Sequence, residues 1–202
     1  MTLKAKNIGC TRGLHKLFTG LSLSLNTGQI LLIEGNNGSG KSTLLKILAG
    51  LRHPDDGEVT WNGQPIEQVS SEYSQQVVWL SHRNGINDSL TAKENIEVSA
   101  SLSKSNDIKI NDILEQVGLQ AYANIPVRQF SVGMKRRLAL SRLLTKKAKL
   151  WLLDEPQGAL DKTGMALLEK LVEQHVTRAG MVVMSSHHDV KFHSIPVYTL
   201  NI

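Results

Sequence analysis

A chain of 202 residues, 41% hydrophobic and 20% charged, has the length for one domain with a sizeable core and the composition of an ordinary globular protein. No run approaches the roughly 18 consecutive apolar residues of a membrane span. Met1 to Cys10 lacks the apolar stretch of a secretory signal, and the lone Cys10 excludes an internal disulfide, so a reducing, cytosolic compartment is expected.

In chain order, Leu21 to Leu25 and Gln29 to Ile33 read as short strands. A glycine-rich stretch, residues 35–40, opens a helix over Ser42 to Leu51, with Gly50 as its stop signal. Turn signals at Asp55-Asp56-Gly57 and Asn62-Gly63 bracket a hairpin around Glu58 to Trp61, and Val77 to Leu80 is a further strand. Residues 86–128 turn polar, with helical spacing in Ala92 to Leu102 and Ile108 to Val117, and read as a helical insertion. A helix Val132 to Leu144, a strand Leu150 to Leu153, a helix Met165 to Val176 and a strand Met181 to Met184 follow, with Pro196 to Ile202 as an edge strand. The alternation predicts an α/β fold with a mainly parallel sheet.

The strongest chemical signal is Gly35-Asn36-Asn37-Gly38-Ser39-Gly40-Lys41-Ser42-Thr43, which fits G-x-x-x-x-G-K-[ST] between a strand and a helix. Glycines permit backbone angles that aim successive N–H groups at one anion, and the helix N-terminus adds favourable potential. Lys41 supplies a positive charge to the β- and γ-phosphates of a nucleotide, and the Ser42 hydroxyl suits Mg²⁺. The second half is Leu150-Trp151-Leu152-Leu153-Asp154-Glu155, an apolar strand that ends in two acids, where open α/β sheets bind ligands. Asp154 is the expected partner of Mg²⁺ and Glu155 the group that polarises an attacking water.

With both halves present, the chain resembles the nucleotide-binding domains of ABC transporters, from Leu3 to about Ser194. The resemblance implies a P-loop NTPase fold: one domain over residues 1–202, with an antiparallel β part, a core of about 1–85 and 129–202, and a helical subdomain of about 86–128. It implies that Phe130-Ser131-Val132-Gly133-Met134 is the family's signature, with Ser131 and Gly133 touching the γ-phosphate held by the other subunit of a head-to-tail homodimer. Gly158-Ala159-Leu160-Asp161 matches the D-loop, with Asp161 at the subunit contact, and His187 matches the switch histidine that bonds the γ-phosphate and the attacking water. Where the family has a glutamine, this chain places His82, or Arg83 under a one-residue shift. Met134 replaces a glutamine, Gly158 replaces a serine, and Arg12 stands where an aromatic often stacks on adenine.

Trp79-Leu80-Ser81-His82, Leu90-Thr91-Ala92-Lys93-Glu94-Asn95, Ile125-Pro126-Val127 and Leu150 to Pro156 are similar to the ATP-binding subunits of haem exporters that serve cytochrome c maturation. That likeness implies an active MgATP hydrolase on the cytoplasmic face of the cell membrane. Its partners are integral membrane subunits that handle the haem.

The net charge of +5 is local. Residues 128–149 carry Arg128, Lys135, Arg136, Arg137, Arg142, Lys146, Lys147 and Lys149 with no acid, and the remainder is net acidic. This stretch is either a solvated helix face or a patch for nucleic acid, phosphate or anionic lipid. It motivates the rival reading of a soluble ABC ATPase on nucleic acid, against which stand the single nucleotide-binding domain and the position of Lys135 to Arg142 on the signature helix; nucleic acid is not expected as a partner. The other rivals are the ATPase of a different small exporter and, from the changes at His82 and Met134, a nucleotide-binding scaffold without turnover.

Overall fold

The computed structural model describes residues 1–103, 109–186, 192 and 195–202. In chain order its elements are β1 (Thr2–Arg12), β2 (His15–Asn26), β3 (Ile30–Glu34), α1 (Lys41–Leu48), β4 (Asp56–Trp61), β5 (Gln64–Pro65), α2 (Ser70–Gln76), β6 (Val77–Leu80), α3 (Ala92–Leu102), α4 (Ile110–Gln116), α5 (Val132–Leu140), β7 (Leu150–Asp154), α6 (Lys162–Thr177), β8 (Met181–Ser185) and β9 (Val197–Asn201). Short 3₁₀ turns at Gln120–Tyr122, Val127–Gln129 and Ser141–Leu143 lie between them.

The described residues form two sheets, of order β2-β1-β4-β5 and β6-β7-β8-β3-β9. The first is antiparallel, with β1 against β2 and β4, and β4 against β5 across the predicted Asn62-Gly63 turn. In the second, β7, β8, β3 and β9 pair in parallel. Every residue of β7 and β8 is buried, as expected of near-continuous apolar strands covered on both faces. The register sets Ile33 opposite Ser185 and Ser185 opposite Asp154. Three parallel strands thus end level, and the segments leaving them start side by side.

Contacts group the chain into two compact units, Met1–Trp79 with Ala148–Glu155 and Val172–Ile202, and Leu80–Lys147 with Pro156–Leu171. In the first, α1 buries Leu44, Leu45, Ile47 and Leu48 in a core shared with Leu150 and Leu152 of β7, Met181 and Val183 of β8, and Leu3, Leu25 and Trp61 of the antiparallel sheet. Tyr73 of α2 stacks at a tilt on Trp61, ring centroids 5.3 Å apart, and its hydroxyl donates to the Leu48 carbonyl. Trp151 of β7 and His175 of α6 stack nearly flat, 3.9 Å between centroids. Gly180 makes room for that pair, since a Cβ there would fall 2.3 Å from His175 Nε2.

In the second unit, Ala92 and Ile96 of α3 and Ile113 and Leu114 of α4 close a core with Val127, Phe130 and Leu138. Helix α3 starts at a capping box: Thr91 Oγ1 accepts from the Glu94 N–H at 3.2 Å, and Glu94 accepts from the Thr91 N–H at 2.8 Å. This unit reaches beyond residues 86–128 on both sides because α5 contributes Leu138 to the same core. It also changes the meaning of the basic stretch. Arg136 is 3% exposed, and burial lowers the pKa of Arg142 and Lys146 from their ordinary values. Only Arg128 and Lys147 of the eight are exposed and the rest are half-buried or buried, so the stretch is not one solvated face.

Candidate functional site

In the first unit the site grows from the level ends of β3, β7 and β8. Past β3, Gly35, Gly38 and Gly40 take φ of 155°, 86° and 108°, angles that L side chains rarely adopt. Gly35 also has no room for a side chain: a Cβ would lie 2.3 Å from the Ile202 carbonyl oxygen and 2.7 Å from Ser39 Oγ. Gly40 is the N-cap of α1, so the segment from Asn36 to Thr43 ends at a helix N-terminus that presents unpaired N–H groups. Lys41 is 5% exposed, and its Nζ donates to the carbonyls of Gly35 at 2.7 Å and Asn36 at 3.0 Å. The ammonium is therefore held inside the curl of the loop. Ser39 Oγ is buried with no hydrogen-bond partner among the described residues.

Asp154, at the end of β7, is 4% exposed and joins the loop to the sheet. Its Oδ1 accepts from Ser42 Oγ at 3.0 Å and from Ser185 Oγ at 2.9 Å. The next residue, Glu155, has φ 47°, a left-handed backbone for a side chain without the local bonding that helps Asn or Asp there. Its N–H donates to Ser185 Oγ at 3.0 Å. A cleft of about 160 Å³ lies between Gly38, Lys41, Ser42 and Glu155, with Arg12 and Leu17 on its wall. Lys41, the loop glycines, Ser42 and Glu155 thus line one volume, and Asp154 stands behind Ser42, accepting its hydroxyl. Hydroxyl and carboxylate oxygens are hard donors of the kind Mg²⁺ takes, and Ser42 with Asp154 fits that ion. Among the described residues no three His, Cys, Asp or Glu side chains gather to hold a metal alone, so the remaining ligands would come from phosphate and water.

The second unit carries the other predicted residues. Ser131 is the N-cap of α5, its hydroxyl accepting from the Met134 N–H at 3.2 Å, and beside it Val132 is 67% exposed. A Cβ on Gly133 would sit 3.3 Å from the Ala159 carbonyl oxygen, so a larger residue would press on the backbone there. Met134 packs on the core of this unit. Asp161 Oδ1 accepts from the Gly164 N–H at 2.7 Å at the start of α6, and Ala159 has φ 62°. His82 is exposed just past β6, and Arg83 beside it is exposed as well. Arg136 organises that segment: Nε donates to the Pro156 carbonyl at 3.0 Å, and Nη1 donates to the carbonyl of Ser81 at 3.3 Å and to Asn84 Oδ1 at 3.1 Å. His187 lies outside the described residues.

In the sequence Ser185 stands only as the first residue of Ser185-Ser186-His187, the stretch that matches the switch histidine, with no role of its own. It becomes visible only when the register of β7 and β8 sets it against Asp154. Its signal in the sequence is weak: a hydroxyl at the end of an apolar strand. Arg136 read as one of eight basic residues on a solvated face or an interaction patch, and nothing local marks it as buried.

A family model described as ABC transporter matches residues 18–158. The chain is 41% identical to a "Cytochrome c biogenesis ATP-binding export protein CcmA" of Nitrosomonas europaea, over 98% of this chain and 94% of that protein. It is 42% identical to the protein of the same description in Escherichia coli K12, over 92% and 88%. Among solved structures, an ABC transporter ATP-binding protein of Pyrococcus furiosus superposes with TM-score 0.85 at 23% identity, over 100% of this chain and 97% of that one. An ATP-binding cassette solved as a dimer in a post-hydrolysis state with ADP and Pi superposes with TM-score 0.76 at 26% identity, over 92% and 88%.

Proposed function

Because the chain belongs to the ABC transporter family as an ATP-binding and ATP-hydrolysing subunit, we propose that its ATPase cycle drives the haem export or release step of cytochrome c biogenesis. The observation that carries the catalytic part is the level ending of three strands, beside which Lys41, Ser42 and Glu155 line one cleft and Asp154 lies behind it, bonded to Ser42. Near-full-length likeness to the cytochrome c biogenesis export proteins supports the pathway.

The loop amides from Asn36 to Thr43 receive the phosphates, and the Lys41 ammonium exchanges loop carbonyls for β- and γ-oxygens. Ser42 and Asp154 would hold Mg²⁺, which would supply positive charge against the phosphates. Glu155 orients and polarises the water that attacks the γ-phosphorus, and His187 bonds the transferred group. Ser131 and Gly133 of a second copy complete the γ-phosphate shell, with Asp161 at the contact, because a serine N-cap and free amides at a helix start form an anion site. The whole chain acts as one ATPase domain in a head-to-tail homodimer, with a helical part of about residues 86–128 meeting membrane subunits on the cytoplasmic face. Those subunits handle the haem. No helix among the described residues is long and apolar enough to cross a membrane.

Phosphate release by the full chain tests the chemistry. Glu155→Gln should keep ATP binding while turnover falls about 100-fold or more, to the level of a Lys41→Ala blank. Unchanged hydrolysis in Glu155→Gln would remove Glu155 from its role. Copurification from native membranes with haem-handling subunits tests the pathway, and a complex with a different exporter would overturn it.

A further inference from the structure

We infer that Ser185 is a positioning residue for the hydrolytic step, setting Asp154 and Glu155 at once. The inference rests on the ATPase reading above and adds a residue to it.

Ser185 is fully buried at the end of β8, level with Asp154 in the neighbouring strand. Its one hydroxyl does two different things. As a donor it binds Asp154 Oδ1 at 2.9 Å, and as an acceptor it takes the Glu155 N–H at 3.0 Å. Asp154 Oδ1 already receives the Ser42 hydroxyl at 3.0 Å. Two donors from two different elements fix the plane of that carboxylate, so its second oxygen has a set direction. The bond to the Glu155 N–H acts on the backbone. Glu155 sits at φ 47°, where a glutamate pays strain and stays only if its neighbours hold it. Ser185 is one such holder, and it fixes where the Glu155 side chain leaves the main chain. A single hydroxyl therefore links the group suited to Mg²⁺ with the group that polarises water. Outer partners of metal ligands commonly weaken metal affinity or activity about 10- to 100-fold when removed.

The test uses the full chain as wild type, Ser185→Ala and Ser185→Thr. Two quantities are read: kcat for phosphate release, and the Mg²⁺ midpoint for binding of the fluorescent nucleotide mant-ADP, which needs no turnover. Ser185→Ala should lower kcat about 10-fold or more and raise the Mg²⁺ midpoint several-fold, while mant-ADP affinity at saturating Mg²⁺ stays within about 2-fold. Ser185→Thr, which keeps a hydroxyl, should restore both. An alanine variant with wild-type kcat and midpoint overturns the inference. So does a variant that loses kcat with an unmoved midpoint and no rescue by threonine, the pattern of a purely structural serine. If the alanine variant does not fold, Ser185→Cys, with similar volume and a weak donor, is held to the same criteria. Failure of the underlying ATPase reading looks different: wild type itself would release no phosphate above the Lys41→Ala blank.

Discussion

Single side chains set the chemistry and also one liability of the fold. His175 is stacked on Trp151 in a space that Gly180 leaves open, and burial lowers its pKa from 6.5 to about 4, with Lys149 adding repulsion. Its neutral form is therefore the folded form. The unfolded chain takes a proton near pH 6.5 and the folded one does not until about 4, so this contribution is complete above 6.5 and lost as pH falls through that window. By pH 5 the loss is about 2 kcal/mol. Urea denaturation at pH 7 and pH 5 measures it, and His175→Phe, which keeps the stacked ring, should remove most of the difference. At this scale the sequence was legible wherever function is written in fixed spacing. Gly35 to Thr43 needed only a strand before and a helix after. Ser185 and Arg136 were not legible, because their partners are 31 and 20 residues away in the chain and are chosen by strand register and by the packing of α5.

Elements were legible where the apolar period is clean. Strands β3, β7 and β8 and helix α3 stand where the pattern predicts them. Strand β1 was missed because its alternation breaks: Ile8, Gly9 and Cys10 are buried in succession, and the register against β2 shifts around them. Helix α2 was missed because Ser70 to Gln76 buries only Tyr73, too little to show a helical stripe. Caps carry much of what holds the short helices. The Thr91–Glu94 box on α3 predicts that Thr91→Ala lowers stability by about 1 kcal/mol. Equilibrium urea denaturation reads the loss, and turnover per folded molecule should stay at the wild-type value, since Thr91 is remote in role from the phosphates.

At the scale of the whole molecule, the residues of the proposed site divide between the two units. The first holds the loop, Asp154 and Glu155; the second holds Ser131 and Gly133 at the start of α5, where Val132 stands open to solvent. On the proposed function, a serine-capped helix start with an exposed apolar neighbour suits a surface that closes on a partner's phosphates. With ATP and Glu155→Gln to stop turnover, light scattering should report a dimer, and adding Ser131→Arg should return it to a monomer. A dimer that survives Ser131→Arg would place the contact elsewhere.

The left-handed backbone at Glu155 sets durability against speed. Asparagine is at ease in that conformation and glutamate is not, so, given the role proposed for Glu155, a substitution that made the protein hardier would also silence it. A library screened only for heat resistance would drift toward such inert variants, and any effort to toughen this enzyme has to hold position 155 fixed.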